Sequence, residues 1–579
     1  MGVEANRWDS RGRWIVLALF LGFLLLRLPF RAEFLVNWDA ANFALGVREF
    51  DLEHHQPHPP GYIGYIALGR LLYPLTGDAN AALTWISVVS GAVAPAGFFL
   101  LARRFVAWRA ALASAVLLGL SPLVWYYSGV ALTYALELAL GVVFLWLAYE
   151  ARSRVSLRFL AAATAVLVVL GAVRQSGGLL MTPLWLYAVW AFPWRIRAGA
   201  ATALLVGNLA WLIPLIRLSG GVGAFFQASA DLAGLAVAPT SVFALGTGGV
   251  GQNTAIVLVG LLLGVNAGLV VVAVGLLRYG GASLAPFRRA RAFFVAWLVP
   301  ALATYVLLHT GQLGYVLLLL PAFFLAVAAV FELVATRGPG SRPVGVGRRW
   351  TLPAVTAACG VVGVVLFLTA GPALYGVARG GEPAVERGRA VELLSGLPLF
   401  RTVAQDNGYL LDGVRQYDLG ANDRYWAELL ELLKGLDPER TVVLATPERA
   451  GSFRGLAYYL PDHTILGVGH DLDRNFGHLF TATEGRSDYT VAGLEDASSE
   501  VPLPEESRWV VVPDREVREA LEVGGDLSDG VDEEVATVGG GSEVLVLRIP
   551  PGSRLVAEGG LGLGSEDDGE AEPALRLER

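Results

Sequence analysis

Long apolar runs separated by short polar loops occupy the first two thirds of the chain, and no such run follows Tyr375. Roughly 20 apolar residues are needed to cross a hydrocarbon core of about 30 Å. The pattern therefore predicts a mainly α, polytopic transmembrane bundle over residues 1–375, with about 11 spans and a first outer loop at 31–78. The predicted spans lie near residues 14–30, 79–101, 109–126, 129–149, 157–173, 177–193, 199–217, 254–277, 292–308, 313–334 and 352–375.

Arginines fall in alternate loops of this pattern. One group precedes span one, and further groups follow spans two, four, six, eight and ten. Loops rich in Lys and Arg stay in the cytoplasm. We therefore expect a multi-pass plasma-membrane protein with a cytoplasmic N-terminus and, after an odd number of spans, an extracytoplasmic C-terminal region.

The C-terminal region has a different pattern. Short β-rich runs bounded by turn residues alternate with segments of helical apolar spacing, which predicts a soluble α/β domain over residues 376–555. The predicted strands are 441–446, 463–468, 508–513 and 543–549, and the predicted helices are 421–436 and 452–461. Residues 556–579 are rich in Gly and Glu and are predicted to be a disordered acidic tail.

Composition supports this division. The 579 residues are 54% hydrophobic and 16% charged, with a mean hydropathy of +0.54, which excludes a soluble globular protein. Residues 1–375 carry 25 Lys+Arg and 12 Asp+Glu, whereas residues 376–579 carry 19 and 39. The single cysteine, Cys359, excludes an intramolecular disulfide and a cysteine-rich metal site.

The first outer loop contains two helix-like pieces, one starting near Asn37 and one over residues 61–75. Between them lies "EHHQPHPPGY" (53–62), whose prolines disfavour helix. Asp39 follows the outer end of span one. It can cap the helix that follows or simply be solvated, or it can act as a general base that accepts a proton from an incoming hydroxyl group.

Arg174 lies on the predicted outer side, where arginine is scarce, and so needs an anionic partner. A guanidinium suits a phosphate because its fork makes two parallel hydrogen bonds. Glu137, in span four, is either the ion-pair partner of Arg174 or an acid that contacts substrate in a polar cavity.

A second polar cluster is "HTGQLGY" (309–315). His309, Gln312 and Tyr315 are donors and acceptors that can hold a phosphate or a sugar. The alternative is an ordinary interfacial turn with a belt tyrosine.

The histidines of the first outer loop raise the question of a metal. His54, His55 and His58, with Asp51 or Glu53, could ligate zinc or manganese. The prolines fix a geometry that need not converge, and no CxxC or HExxH pattern supports a metal site. We expect no metal or other cofactor, and we expect His55 and His58 to bind substrate.

Several segments resemble a known family. "RLPF" and "NWDAANFALGVREFDLEHHQPHPPGYIGYIALGRLL" resemble the end of span one and the first outer loop of GT-C type membrane glycosyltransferases. The similarity is to members related to the dolichyl-phosphate-mannose protein mannosyltransferases. "LSPLVWYYSGVALTYALELAL" (120–140) and "HTGQLGYVLLLLPAF" (309–323) resemble later parts of the same family.

The resemblance implies a GT-C-like fold and a glycosyltransferase. Such an enzyme takes a sugar from a polyprenyl-phosphate donor and transfers it to a hydroxyl group of a protein, lipid or polysaccharide acceptor outside the cytoplasm. It implies no nucleic-acid partner. The family's catalytic base is best matched by Asp39, although many members carry a second acid where this chain has Ala40.

Two other functions fit the same pattern. The chain could be a transporter or flippase for a lipid-linked substrate, although such proteins often show internal repeats with broken midplane helices, and the sequence shows no repeat. It could also be a non-catalytic envelope assembly protein whose acidic domain binds partners.

Overall fold

The structure, a computed structural model, describes residues 10–238, 240–336, 351–369, 416–445, 453–470, 476–481, 499–524, 530–539, 541–558 and 574–578. Its contacts divide the chain into two compact units. The helical unit comprises the described residues of Met1–Arg31, Pro60–Tyr375 and Gly388–Tyr417. The α/β unit comprises those of Ala32–Pro59, Gly376–Arg387 and Asp418–Arg579.

Helices account for most of the described chain. In chain order they are α1 (Ser10–Arg27), α2 (Trp38–Arg48), α3 (Ile63–Thr76), α4 (Ala79–Ala102), α5 (Trp108–Gly119), α6 (Pro122–Tyr127), α7 (Tyr134–Arg154), α8 (Leu157–Val173), α9 (Gln175–Val189), α10 (Trp194–Leu218), α11 (Val222–Leu232), α12 (Val242–Leu245), α13 (Thr247–Val265), α14 (Ala267–Tyr279), α15 (Arg291–Leu307), α16 (Leu320–Thr336), α17 (Thr351–Thr369), α18 (Gln416–Lys434), α19 (Phe453–Tyr459) and α20 (Arg515–Val523). Shorter 3₁₀ or π turns lie at Leu28–Phe30, Ala233–Val237, Gly280–Ala290, Leu313–Leu318 and Pro438–Arg440.

Each predicted span contains helix among its described residues, and the predicted transmembrane bundle is confirmed. Among the described residues, six helical stretches are long and apolar enough to cross a membrane, and four shorter apolar helices accompany them. The six are Gly12–Phe30, Ala79–Ala102, Tyr134–Arg154, Trp194–Leu218, Thr247–Val265 and Ala267–Leu307. The sidedness predicted from the arginines stays a prediction.

Some predicted spans are interrupted. The span at 109–126 breaks between α5 and α6, where Pro122 starts a new helix. The span at 254–277 breaks at Asn266, whose φ of 42° cannot continue a right-handed helix. The span at 313–334 begins with a 3₁₀ turn before α16. Apolar composition alone does not reveal such breaks, because the residues on both sides remain apolar.

The core of the helical unit is built around α4 and α7. Helix α4 packs against α1, α3, α5 and α7, and α7 packs against α8 and α9. A buried arginine at the end of α1 joins this core. Arg27 donates from Nη2 to the Gly119 carbonyl at 3.0 Å and from Nη1 to the Phe23 carbonyl at 3.3 Å. Because α5 ends at Gly119, that carbonyl has no partner within its own helix.

The α/β unit contains nine strands in two sheets. They are β1 (Thr441–Ala445), β2 (Thr464–His470), β3 (Phe476–Thr481), β4 (Ser499–Pro502), β5 (Trp509–Val512), β6 (Asp532–Val538), β7 (Ser542–Arg548), β8 (Arg554–Glu558) and β9 (Ala574–Glu578). The larger sheet has the order β3-β2-β1-β5-β7-β6, and the smaller one has the order β4-β8-β9. Strand β1 runs parallel to β2 and β5, whereas the other pairs are antiparallel.

Alternation along the central strands produces two cores. Val442 and Leu444 of β1 face α20 and the smaller sheet, whereas Val443 and Ala445 face α18 and α19. Successive side chains of a strand point to opposite faces, so an apolar run such as "TVVLA" supplies both cores. The predicted α/β domain is confirmed, including its four predicted strands and two predicted helices.

The prediction of a disordered tail is wrong for residues 574–578. These residues form β9, which pairs antiparallel with β8. Leu575 and Leu577 alternate with polar residues and are buried in the core beside α20. Residues 559–573 lie outside the described residues.

Ala32–Pro59, the first part of the outer loop, belongs by its contacts to the α/β unit. The sequence grouped this whole loop with the membrane body. Phe34 and Trp38 instead pack against the core formed by α18 and α19. This grouping pairs residues almost 400 positions apart, which no local pattern indicates.

We expect that truncating a buried side chain in the core between α18 and the larger sheet lowers the free energy of unfolding substantially. Leu429 is fully buried there, and Leu429→Ala should lower the free energy of unfolding by about 2–5 kcal/mol. Glu431→Ala, two residues on at an exposed site, should change it by less than about 1 kcal/mol. Thermal unfolding of the purified protein in detergent compares the two, and equal midpoints would contradict this packing.

Candidate functional site

The predicted site residues fall into two groups, one in each unit. The helical unit holds Glu137, Arg174, His309, Gln312 and Tyr315, and the α/β unit holds Asp39, His55 and His58.

Arg174 lies at the junction of α8 and α9. Its backbone is extended, with φ −150°, so that α8 ends and α9 begins at this residue. The side chain is 6% exposed. Its Nε lies 3.3 Å from Glu137 Oε2, and its Nη1 donates to Thr133 Oγ1 at 3.0 Å. The ion pair predicted between Arg174 and Glu137 is therefore present.

Two tyrosine rings hold the guanidinium of Arg174. Its central carbon lies 4.4 Å from the Tyr134 ring centroid and 4.6 Å from the Tyr315 ring centroid. A cation over an aromatic face is attracted by the ring quadrupole, more strongly when water is excluded. Within the described residues, Nη2 makes no hydrogen bond. Arg174 is thus fixed on three sides with one terminal nitrogen left to donate.

Glu137 is placed in the first turn of α7. A carboxylate near a helix N-terminus is favoured by the exposed backbone amides and the helix dipole. Gly177 of α9 makes room for it, since a Cβ there would overlap Glu137 Oε1. The glycine therefore permits a close approach of α7 and α9 around the ion pair.

His309 and Tyr315 lie close together on the segment between α15 and α16, with ring centroids 5.9 Å apart. His309 Nδ1 lies 2.8 Å from Thr240 Oγ1. Burial, and then the nearby Arg174, lower the pKa of His309 to about 4. The imidazole is therefore neutral at pH 7 and can donate or accept a hydrogen bond without carrying charge. Gln312 is half-buried and immediately precedes the 3₁₀ turn.

Asp39 lies in the first turn of α2. Helix capping by Asp39, one alternative from the sequence, is wrong, because Asn37 is the cap and its Oδ1 accepts from the Ala40 amide at 3.0 Å. The Asp39 carboxylate lies 3.8 Å from His58 Nδ1 and is 26% exposed. The structure thus pairs the predicted base with one of the two predicted substrate-binding histidines.

The histidine-rich corner is non-helical, as its prolines predict. A bridge joins Asp51 to Gln56, and His55, between them, has a φ of 56°. Burial, and then Arg454, lower the pKa of His55 to about 3, so this ring is neutral in the folded protein. The His58 ring packs on Phe43, with centroids 5.0 Å apart. Among the described residues, no three His, Cys, Asp or Glu side chains are arranged to hold a metal ion.

Sequence reasoning missed several residues of both groups. Tyr134 lies one helical turn before Glu137, and this spacing could have identified it. Thr133 and Thr240 carry no such signal, because a hydroxyl in an apolar segment usually bonds to its own helix. Arg454 is 400 residues from the His54 carbonyl that it binds, so only the tertiary fold reveals it.

Comparisons with known proteins identify the fold. No protein-family model matches the chain, and no curated protein matches it. The crystal structure of ArnT from Cupriavidus metallidurans in the apo state matches with a TM-score of 0.54 and 16% identity, covering 93% of this chain and 99% of that one. ArnT bound to undecaprenyl phosphate matches over the same shares, with a TM-score of 0.51 and 17% identity.

The apo oligosaccharyltransferase of Archaeoglobus fulgidus matches with a TM-score of 0.46 and 12% identity, over 87% of this chain and 70% of that one. At these identities the likeness to ArnT describes the fold. The predicted GT-C-like architecture, a helical membrane bundle with a C-terminal α/β domain, is thereby confirmed.

The buried His55 predicts acid sensitivity of the α/β unit. The unfolded chain binds a proton at His55 below about pH 6.5, whereas the folded chain does so only near pH 3. The unfolded state binds more protons in this window, so stability falls as the pH falls through it. Between pH 7.5 and 5 this histidine should remove about 2 kcal/mol of stability.

His55→Gln should reduce this loss of thermal stability, measured as the change in unfolding midpoint between pH 7.5 and pH 5. His54→Gln, whose ring is 28% exposed and contacts Asp51, is the control and should keep the wild-type change. If the unfolding midpoint of His55→Gln falls as much as that of the wild type between pH 7.5 and pH 5, His55 is not a buried neutral group in the folded protein.

Proposed function

We propose that this chain is a membrane glycosyltransferase. It transfers a sugar from a polyprenyl-phosphate donor to a hydroxyl group of an acceptor at the extracytoplasmic face. The N-terminus then lies in the cytoplasm and the α/β unit lies outside. Protein, lipid and polysaccharide hydroxyl groups all fit this chemistry.

The observation that carries the proposal is the environment of Arg174. The guanidinium is buried and held by Glu137, Thr133 and two tyrosine rings. Among the described residues, the N–H groups of Nη2 make no hydrogen bond and so can donate to a ligand. A donor fixed before the reaction stabilises charge that develops on a leaving group without reorganising. The leaving group of a polyprenyl-phosphate sugar is a phosphate anion, which a guanidinium binds well.

The fold supports a lipid-phosphate donor. ArnT, which has the same fold, was crystallised with undecaprenyl phosphate. We assign the lipid phosphate of this chain to Arg174, and we assign hydrogen bonds to the phosphate or the sugar to His309, Gln312 and Tyr315. Glu137 holds Arg174 in place. A neutral His309 suits this role because it donates or accepts a hydrogen bond without adding charge.

Asp39 is assigned as the general base. In the proposed step, the acceptor hydroxyl gives its proton to the Asp39 carboxylate, and the acceptor oxygen bonds to the anomeric carbon. The bond from that carbon to the phosphate oxygen breaks, and polyprenyl phosphate leaves as an anion with inversion at the sugar. His58, 3.8 Å from the carboxylate, and His55 are assigned to binding the acceptor or donor in the same loop.

This mechanism predicts that Asp39→Asn slows transfer. General-base catalysis contributes about 10²–10⁴-fold. The kcat of Asp39→Asn should therefore fall by about that factor, with little change in the KM of the donor, because the amide keeps the shape of the side chain. The assay measures transfer of a labelled sugar from polyprenyl-phosphate donors to candidate acceptors by the purified protein.

Glu49→Gln is the matched control, since Glu49 is an exposed acid of the same loop at the end of α2. It should transfer sugar at the wild-type rate. Wild-type protein that consumes no polyprenyl-phosphate donor would refute the proposed function. An Asp39→Asn variant with the wild-type kcat would refute the assignment of the base.

A further inference from the structure

The segment that carries Asp39 is anchored to the C-terminal part of the α/β unit at its start. The amides of Glu33 and Phe34 donate to the Asp423 carboxylate at 3.1 and 3.0 Å. The Leu35 amide donates to the Tyr459 hydroxyl at 2.7 Å. Burial raises the pKa of Asp423, and the two amide hydrogen bonds oppose that rise. Residues of α18 and α19 therefore fix the chain just before α2.

A second anchor holds the end of α2. Arg48 donates to the Tyr458 carbonyl at 2.7 Å, and its guanidinium carbon lies 3.7 Å from the Tyr458 ring centroid. This contact fixes the last turn of the helix, about two and a half turns away from Asp39. It does not involve the histidine-rich corner.

The third anchor, Arg454 of α19, joins the two parts of the loop that carry the proposed chemistry. Arg454 is 1% exposed. Its Nη2 donates to the His54 carbonyl in the corner, and its guanidinium carbon lies 5.4 Å from the ring centroid of Trp38, the residue before Asp39. One buried side chain thus contacts the start of α2 and the corner that leads to His58.

The space between α2 and the corner is tightly packed. A Cβ at Gly46 would lie 2.7 Å from Pro57 N, so α2 and the corner approach to backbone contact there. Phe43 packs on the His58 ring. In such a packed arrangement, a shift of the corner away from Trp38 changes the distance between His58 and Asp39.

We infer that Arg454 is a positioning residue that sets the geometry of Asp39 and His58 from the C-terminal domain. The inference rests on the proposed function for its catalytic consequence, but the geometry can be tested without it. The C-terminal domain then contributes to the reaction without touching the reacting atoms. An error of about 1 Å in the placement of a catalytic group can cost about 100-fold in rate.

The test that does not depend on catalysis is histidine modification by diethyl pyrocarbonate, read residue by residue by mass spectrometry. His58 is buried in the wild type and reacts when the corner opens. In Arg454→Met, His58 should react about tenfold faster, the factor expected when one hydrogen bond from a charged group no longer opposes local opening. His463, buried elsewhere in the same unit, is the internal control and should react at its wild-type rate.

Arg48→Met is the matched variant, since it removes the second anchor, and should leave the reactivity of His58 unchanged. If His58 reacts at the wild-type rate in Arg454→Met while His463 stays protected, the inference fails. If His463 also becomes reactive, the unit has unfolded. Arg454→Gln, which keeps an amide donor at this position, then replaces Arg454→Met as the test variant, and its rates of His58 and His463 modification are compared in the same way.

Kinetics separate this inference from the proposed function. Arg454→Met should lower kcat about 100-fold with the donor KM unchanged, and Arg454→Lys should restore part of it, because it keeps the charge over Trp38. If the wild type shows no transfer activity while His58 is still modified faster in Arg454→Met, the positioning role is supported and the proposed function is refuted. Full activity of Arg454→Met with a mobile His58 would refute the catalytic consequence.

Discussion

A charged side chain inside an apolar bundle must have a compensating partner, and this constraint organises the helical unit. Arg27 meets it with the carbonyls of Phe23 and Gly119, which bind α1 to the end of α5. Glu150 forms ion pairs with Arg104 and Arg154. Arg174 and Glu137 meet it with each other, and their pairing determines how α7, α8 and α9 come together.

The Arg174 pair also has two tyrosine neighbours from other parts of the chain. Its aromatic neighbours, Tyr134 and Tyr315, come from the start of α7 and from the segment before α16, so the guanidinium gathers three parts of the chain. Tyr315 also contacts His309 and Tyr305. The pair and its aromatic neighbours therefore bring together the residues to which we assign phosphate binding.

In the α/β unit the corresponding constraint is that backbone amides and carbonyls need hydrogen-bond partners. The chain before α2 has amides that bond to Asp423 and Tyr459, and the corner has a carbonyl that bonds to Arg454. These bonds explain why Ala32–Pro59 folds with residues far along the chain. The same bonds fix the helix that carries Asp39.

Much of the fold could be predicted from the sequence because it follows local patterns. Apolar run length located the helices, and short β-rich runs bounded by turn residues located β1, β2, β5 and β7. The scarcity of outer arginines led to the pair of Arg174 and Glu137. The sequence left open that Asp39 caps α2, whereas Asn37 is the cap, because both residues suit a cap and only the backbone distinguishes them.

What could not be predicted depends on tertiary contacts. Asp423 and Arg454 are ordinary charged residues of amphipathic helices by sequence, and their partners lie about 400 residues away. Strand β9 is too short to recognise within a Gly- and Glu-rich stretch without its partner β8.

The central claim, that Arg174 binds a lipid phosphate, is tested most directly by measuring the affinity of the purified protein for undecaprenyl phosphate by native mass spectrometry. A lysine cannot reproduce the guanidinium fork. We predict that Arg174→Lys binds at least about tenfold more weakly than the wild type, while Asp39→Asn binds as tightly as the wild type. Equal affinity of the wild type and Arg174→Lys would contradict the claim.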